Sequence, residues 1–223
     1  MDERSALLYA KLHSYTHLVN RTLGFIRWAL ARVRTPYVAC SFGKDSAVML
    51  HMVLEHAQDI PVRFIRWKSE TEHIDNYDEV IAQWGHLNLT QVELSRLSLS
   101  EKNKDRYDTV GHDSYFIGLR ASESTPRRMT LKMHGMFYKN KAEMIRISPL
   151  ADWKDQDIAA YIYSNNLPLL NTYRSDGITS RTASRIPRAD HGIRESFIQS
   201  LKQRDMNAYH ALLKSFPEIK QYE

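Results

Sequence analysis

The sequence has almost no cysteine. Cys40 is the only one among 223 residues, which excludes a disulfide framework, a four-cysteine zinc site and a cysteine-bound iron–sulfur cluster within one chain. The ten histidines show no zinc-type spacing. Cys40 ends an apolar run, so we interpret it as a buried strand residue. The alternative is a thiol that carries sulfur.

Long hydrophobic runs are also missing. No apolar stretch approaches the ~20 residues of a membrane span, and the acidic start Met1-Asp2-Glu3-Arg4 does not resemble a signal peptide. We therefore expect a cytoplasmic protein without a membrane partner. The formal net charge of +5 suits anionic partners, either nucleotide phosphates or a nucleic acid backbone.

The middle of the chain alternates between strand and helix patterns, which predicts a parallel α/β sheet with right-handed crossovers. We predict helices over residues 47–57, 75–84 and 154–164. The five predicted strands are Tyr37–Cys40, Val62–Trp67, Thr90–Leu94, Tyr115–Leu119 and Met144–Ile147. The length suits one such domain with small appendages. We divide the chain into a helical segment (1–35), a nucleotide-binding domain (36–175) and a basic helical extension (176–223).

Four further segments carry weaker patterns. Residues 4–34 have helical periodicity, with a break suggested at Asn20 or Gly24. Met129–Tyr138 could form a hairpin around Gly135. The polar stretch 95–113 is typical of a surface loop, with an active-site lid as the alternative. Residues 193–216 read as helix interrupted near Asp205.

The segment Ser41-Phe42-Gly43-Lys44-Asp45-Ser46 lies between a predicted strand and a predicted helix. Free backbone N–H groups, the positive end of a helix dipole and one lysine meet there, which is a favourable arrangement for a phosphate. It is not a Walker A loop, because Lys44 is followed by Asp45 and the required upstream glycine is absent.

A second group follows another strand: Gly118, Arg120, Glu123, Ser124 and Arg127. Gly118 allows close backbone approach, and Arg120 with Arg127 could clamp phosphate or sulfate. An ordinary basic turn is the alternative. We favour ligand binding because the carboxyl ends of parallel strands share one sheet edge.

A third motif runs from Pro149-Leu150 through Trp153 and Asp157-Ile158 to Tyr161-Ile162. The three motifs in this order resemble the phosphoadenosine phosphosulfate reductase family of the PP-loop ATP pyrophosphatases, over roughly residues 20–175. The resemblance implies an adenine nucleotide α-hydrolase-like (Rossmann-like) fold of about five parallel strands. It implies that the Ser41–Ser46 loop holds phosphates and that Arg120 and Arg127 hold substrate or distal phosphates. Adenine would lie near Arg66 and Trp67.

The chain departs from this family in two places. The usual loop reads Ser-Gly-Gly-Lys-Asp-Ser, and Phe42 replaces its first glycine, which is tolerable provided that Phe42 needs no positive φ. Family reductases use a cysteine in a Glu-Cys-Gly segment near the C-terminus, whereas residues 216–223 contain none. Thiol-dependent reductase activity is therefore not expected.

Other branches of the group cleave ATP to AMP and pyrophosphate and adenylate an acceptor, including the ATP-pyrophosphatase component of DNA phosphorothioation systems. By this resemblance, Lys44 and Asp45 are the catalytic pair. Lys44 would stabilise the leaving pyrophosphate, Asp45 would help to hold Mg²⁺, and an arginine would neutralise the α phosphate. A separate protein such as a cysteine desulfurase would donate sulfur.

Two other functions are left open. One is a sulfonucleotide or sulfate-assimilation enzyme of reductase or adenylyltransferase type. The other is a non-catalytic nucleotide- or DNA-binding module, since Arg181, Arg185, Arg188 and Arg194 suit either a DNA backbone or a solvated helix face. A homodimer is also left open.

Overall fold

A single six-stranded sheet organises the protein. The structure is a computed structural model that describes residues 1–67, 76–94, 111–178 and 191–222. The strand order is β3-β2-β1-β4-β6-β5. Five strands are parallel, and β5 runs antiparallel to β6. The strands are β1 Pro36–Ala39, β2 Val62–Trp67, β3 Leu89–Leu94, β4 Ser114–Ile117, β5 Phe137–Lys139 and β6 Ile145–Ile147.

Helices precede, connect and follow these strands. They are α1 Glu3–Tyr9, α2 His13–Leu30, α3 Lys44–Leu54, α4 Tyr77–Ala82, α5 Thr125–His134, α6 Asp155–Ser164, α7 Asn171–Asp176, α8 His191–Arg204 and α9 Met206–Ser215. Short 3₁₀ turns cover Ala121–Glu123 and Pro217–Tyr222. No helix within these described ranges is long and apolar enough to cross a bilayer.

The mostly parallel α/β sheet is confirmed, and the five predicted strands are all present, with ends that differ by at most two residues. The hairpin predicted over Met129–Tyr138 is wrong, because most of that segment belongs to α5. The Ser124 hydroxyl accepts a hydrogen bond from the Arg127 N–H and caps this helix, and Pro126 lies in its first turn. Gly135, at φ 75°, ends the helix. The missed strand β5 follows directly.

The break predicted at Asn20 or Gly24 is also wrong. Helix α2 runs through both residues, and the chain turns instead between Tyr9 and His13. Tertiary contacts set this position: α1 packs on α6, and the Tyr9 hydroxyl donates to Asp157 Oδ1 at 2.8 Å. The interruption predicted near Asp205 is confirmed, since Asp205 caps α9 by accepting from the Ala208 N–H.

The main hydrophobic core lies between the sheet and its covering helices. Helix α3 is buried along most of its length, and α1 and α2 contribute buried residues to the same core. A second, smaller core joins α8, α9 and the final 3₁₀ turn through Ile198, Leu201, Tyr209, Leu212, Phe216 and Ile219. The domain boundaries at 35/36 and 175/176 stay predictions.

The sheet topology predicts where a ligand would bind. From β1 the chain proceeds to β2 and β3 on one side, then returns to β4 on the other side of β1. In open parallel sheets, ligands bind beyond the carboxyl ends of the strands at such a reversal. The segments that follow β1 and β4 border this point. Residues 95–110, with the loop or lid prediction, and Arg181, Arg185 and Arg188 lie outside the described residues.

Candidate active site

The Ser41–Ser46 segment forms a closed turn at the start of α3. Gly43 is the N-terminal cap, so Lys44, Asp45 and Ser46 form the first helical turn, three residues before the predicted start at Ala47. The Ser46 hydroxyl donates to the Gly43 carbonyl at 2.9 Å and accepts from the Ser41 N–H at 3.2 Å. The positive end of the α3 dipole therefore lies at this turn.

Phe42 adopts a left-handed backbone conformation, with φ of 53°. We expected phenylalanine to be tolerated here only if no positive φ was needed, and that condition is not met. A left-handed non-glycine residue costs about 1–2 kcal/mol. The ring is buried and packs edge-on against Phe64, with centroids 5.2 Å apart. Burial of such a ring is worth about 1.5–3 kcal/mol, which offsets the backbone cost.

Lys44 is buried at the mouth of the turn. Its Nζ donates to the Ile178 carbonyl at 2.7 Å and lies 3.8 Å from Asp155 Oδ1. Its backbone N–H donates to the Tyr173 hydroxyl at 3.2 Å. Burial lowers the pKa of Lys44, and Asp45 and Asp155 oppose this effect. Residues after the sheet therefore cover the start of α3.

Arg120 reaches the same turn from the end of β4, and its side chain is only 2% exposed. Its Nε lies 2.8 Å from Asp45 Oδ1, an ion pair whose angles fall outside those of a hydrogen bond. Its Nη2 donates to Asp155 Oδ1 at 2.8 Å, and its Nη1 donates to Ser122 Oγ at 3.1 Å. Burial raises the pKa of Asp45 to about 6, although Arg120 acts in the opposite direction.

Arg127 lies apart from this cluster. Its guanidinium pairs with Glu123, whose carboxylate also accepts a hydrogen bond from the Arg120 N–H. The Arg127 side chain is partly exposed, unlike that of Arg120. The structure thus brings Arg120 to Lys44 and Asp45. Arg127 is linked to Arg120 through the carboxylate of Glu123. A joint clamp by the two arginines stays a prediction.

Gly118 allows the end of β4 to approach α3 closely. A Cβ atom added at Gly118 would lie 2.9 Å from the Asp45 carbonyl carbon and oxygen and 3.0 Å from the Ser46 nitrogen. The close approach predicted at this glycine is present, and the partner is the backbone of the Ser41–Ser46 turn.

The residues predicted to contact adenine lie at the end of β2. Arg66 forms a two-pronged pair with Asp78, at 2.6 and 3.0 Å, and Trp67 is the last residue of the strand. Parallel pairing of β1 and β2 places them on the same sheet edge as the turn. Arg194, at the other end of the chain, donates to the Tyr222 hydroxyl at 2.7 Å. Adenine and DNA contacts by these residues stay predictions.

Our sequence reasoning missed Asp155. This residue begins α6, and its Oδ1 contacts Arg120 and lies near Lys44. The only signal was its place just after Trp153 in the third motif, where it reads as an ordinary acidic residue in a first helical turn. Tyr173 was missed in the same way, because only the folded chain brings it to the Lys44 N–H.

Cys40 is buried, as predicted, but it lies one residue beyond the end of β1, beside the turn. Burial raises the pKa of its thiol to about 11, so the thiolate form is scarce near neutral pH. Among the residues the structure describes, no group of three or more His, Cys, Asp or Glu side chains could hold a metal ion.

Comparison with known proteins agrees with the fold. A family model described as the phosphoadenosine phosphosulfate reductase domain matches residues 35–107 and 68–180. A phosphoadenosine 5'-phosphosulfate reductase of Alkalilimnicola ehrlichii is 28% identical over 171 residues, covering 64% of this chain and 67% of the relative. A sulfate adenylyltransferase subunit 2 of Marinomonas sp. is 27% identical over 210 residues, covering 75% of this chain and 69% of the relative.

Two solved structures share the fold. The phosphoadenylyl-sulfate reductase of Candida auris, in a phosphate complex, has a TM-score of 0.53 and 21% identity, and the match covers 73% of this chain and 90% of that one. The FMN adenylyltransferase of Candida glabrata, with FAD and inorganic pyrophosphate, has a TM-score of 0.59 and 16% identity, covering 77% and 68%. The fold is thus of the adenine nucleotide α-hydrolase-like type.

Proposed function

Because the chain belongs to the phosphoadenosine phosphosulfate reductase family, we propose that it is an ATP pyrophosphatase that adenylates an acceptor. The observation that carries this proposal is the meeting of the α3 N-terminus, Lys44 and Arg120 at the reversal point of the sheet. Three sources of positive charge at one sheet edge suit a polyphosphate. The relatives named above are enzymes, which supports a catalytic role.

The state of Cys40 favours ATP cleavage over sulfonucleotide reduction. A thiol-dependent reductase needs an accessible thiolate as its nucleophile. The one cysteine of this sequence is 3% exposed, and burial raises its pKa to about 11. Phosphorus chemistry that relies on positioning and electrostatics needs no such group.

In the proposed reaction, an acceptor oxygen attacks the α phosphorus of ATP. The bond from that phosphorus to the α,β-bridging oxygen breaks, and its electron pair leaves with pyrophosphate. Lys44 and the positive end of the α3 dipole stabilise the charge on pyrophosphate. Arg120, oriented by the ion pair with Asp45, stabilises the α phosphate. The acceptor becomes an adenylate, or AMP forms when the acceptor is water.

The oxygen donors at the turn decide whether Mg²⁺ could be held there. Asp45 Oδ1 faces the Arg120 guanidinium at 2.8 Å, which disfavours a second cation on that oxygen. These residues therefore do not fit a resident magnesium site. Magnesium is commonly bound mainly by nucleotide phosphates and water, so none of the steps above depends on a metal held by Asp45.

The acceptor we propose belongs to a sulfur-incorporation reaction, with DNA phosphorothioation as the leading case. A separate protein such as a cysteine desulfurase would then supply sulfur. This part of the proposal rests on the resemblance of the three motifs.

Sulfate is a second candidate acceptor. A relative named sulfate adenylyltransferase subunit 2 matches a larger share of this chain than the reductase of Alkalilimnicola ehrlichii does. Its name also describes one subunit of an assembly, so this chain would act with a partner subunit.

The test is release of AMP and pyrophosphate from α-labelled ATP with water, sulfate or DNA as acceptor. We expect Lys44→Ala to lower turnover by about 10²-fold or more, as loss of one charge-stabilising donor does elsewhere. Lys132→Ala, which removes the same charge from an exposed position on α5, serves as the control. Equal turnover in wild type and Lys44→Ala would refute the assignment. Reduction of phosphoadenosine phosphosulfate without ATP cleavage would replace it by the sulfonucleotide alternative.

A further inference from the structure

One oxygen of Asp155 lies between the two cations of the candidate site. Asp155 Oδ1 is 2.8 Å from Arg120 Nη2 and 3.8 Å from Lys44 Nζ. The two cationic side chains are 2% and 6% exposed, whereas the Asp155 side chain is 51% exposed. Two buried cationic side chains therefore share one half-exposed carboxylate.

The charges of four side chains at this point cancel, and the carboxylate of Glu123, which also acts on Lys44 and Arg120, is paired with Arg127. Lys44 and Arg120 supply two positive charges, and Asp45 and Asp155 supply two negative charges when ionised. A phosphate that binds Lys44 and Arg120 must compete with a carboxylate, since like charges at such distances repel. Asp45 is held in the first turn of α3 with its side chain only 16% exposed. Asp155 is half-exposed, so its carboxylate can rotate away from the two cations toward the solvent.

We propose that Asp155 is a displaceable counter-ion that competes with phosphate for Lys44 and Arg120 and thereby weakens retention of pyrophosphate. The proposal rests on the proposed function in one respect, namely that phosphates bind at these two cations. As pyrophosphate leaves, the Asp155 carboxylate returns to the two cations. In this role Asp155 does not touch the reacting atoms.

A purely structural role predicts the opposite result. If Asp155 served only to orient Arg120, its loss would leave the guanidinium less ordered and would weaken anion binding. If it competes, its loss strengthens anion binding. The sign of the change in affinity for a simple anion therefore separates the two roles.

The experiment is calorimetric titration of the full chain with inorganic pyrophosphate, without ATP. We expect Asp155→Asn to lower the dissociation constant about fivefold, the equivalent of about 1 kcal/mol for a partly exposed ion pair. Asp152→Asn is the matched control. It removes the same charge three residues earlier from a side chain that is 62% exposed and pairs with Arg21. Its dissociation constant should equal that of wild type.

An unchanged or higher dissociation constant in Asp155→Asn, or no binding by wild type and variant alike, overturns the proposal. Because Asp155 is the first residue of α6 and Lys154 is the N-terminal cap, Asp155→Ala provides a second neutral variant with high helix propensity, should the asparagine variant not fold. The outcome is separable from that of the proposed function. Tighter pyrophosphate binding without ATP cleavage contradicts the ATP pyrophosphatase assignment alone, whereas ATP cleavage with an unchanged constant contradicts the role of Asp155 alone.

Discussion

Replacing Gly118 with alanine would press a methyl group against the start of α3. The added carbon would lie 2.9 Å from the Asp45 carbonyl carbon and oxygen, where ordinary contacts begin near 3.4 Å. The obstructing atoms are backbone, so they cannot move aside by a rotamer change. The turn and the end of β4 must separate by about 0.5 Å, and overpacking of this kind costs about 1–3 kcal/mol.

The substitution should lower both the melting temperature and the rate of pyrophosphate release. For a chain of this size, about 2 kcal/mol lowers the melting temperature by roughly 4–8 °C. The shift also moves Lys44 relative to Arg120. Because a 1 Å misplacement can cost about 10²-fold in rate, we expect pyrophosphate release from ATP to fall at least about tenfold. Thermal unfolding by circular dichroism and the labelled-ATP assay measure the two effects.

Gly24→Ala is the matched control for Gly118→Ala. A Cβ atom at Gly24 meets nothing within 4 Å, and the residue lies inside α2. Alanine favours a helix interior over glycine by about 1 kcal/mol, so the melting temperature should hold or rise. A Gly118→Ala protein with wild-type melting temperature and turnover would show that neither stability nor ATP cleavage depends on the close contact between Gly118 and the start of α3.

Two more predictions concern buried titratable groups. Burial raises the pKa of Asp45 to about 6, against about 3.9 in an unfolded chain. The folded chain therefore retains a proton that the unfolded chain releases, and stability falls by about 2 kcal/mol from pH 4 to pH 6. The Asp45→Asn variant should lack this pH-dependent fall in stability. Parallel pH profiles of the unfolding free energy for wild type and variant, measured by urea unfolding, would contradict the prediction. Cys40→Ala should keep ATP cleavage, and native Cys40 should resist a thiol reagent at pH 8 until urea exposes it. Rapid reaction in the native protein would contradict its burial.

The fold class could be predicted because its signals are local. Alternating apolar and amphipathic stretches identified β1, β2, β3, β4 and β6 within two residues at each end. The edge strand β5 was missed because three residues, Phe137–Lys139, are too few to show a period of two. The N-terminal break was misplaced because packing of α1 on α6 decides it, and no local sequence signal reports that contact.

The candidate site divides in the same way. Lys44, Asp45 and Ser46 are neighbours in sequence, so their shared turn could be predicted from the strand, the glycine and the helix around them. The conformation of Phe42 could not, because its left-handed backbone is compensated by a ring contact with Phe64, 22 positions away in sequence.

The amino-acid sequence by itself determined the α/β architecture, the position of the turn at Ser41–Ser46 and the family, because each depends on short-range periodicity or on contiguous motifs. Only the tertiary structure decided which charges meet there. Asp155 lies 35 residues from Arg120 and reaches it because β4 and β6 are adjacent parallel strands. Ion pairing between such distant residues depends on strand order, which a linear pattern of charges does not encode.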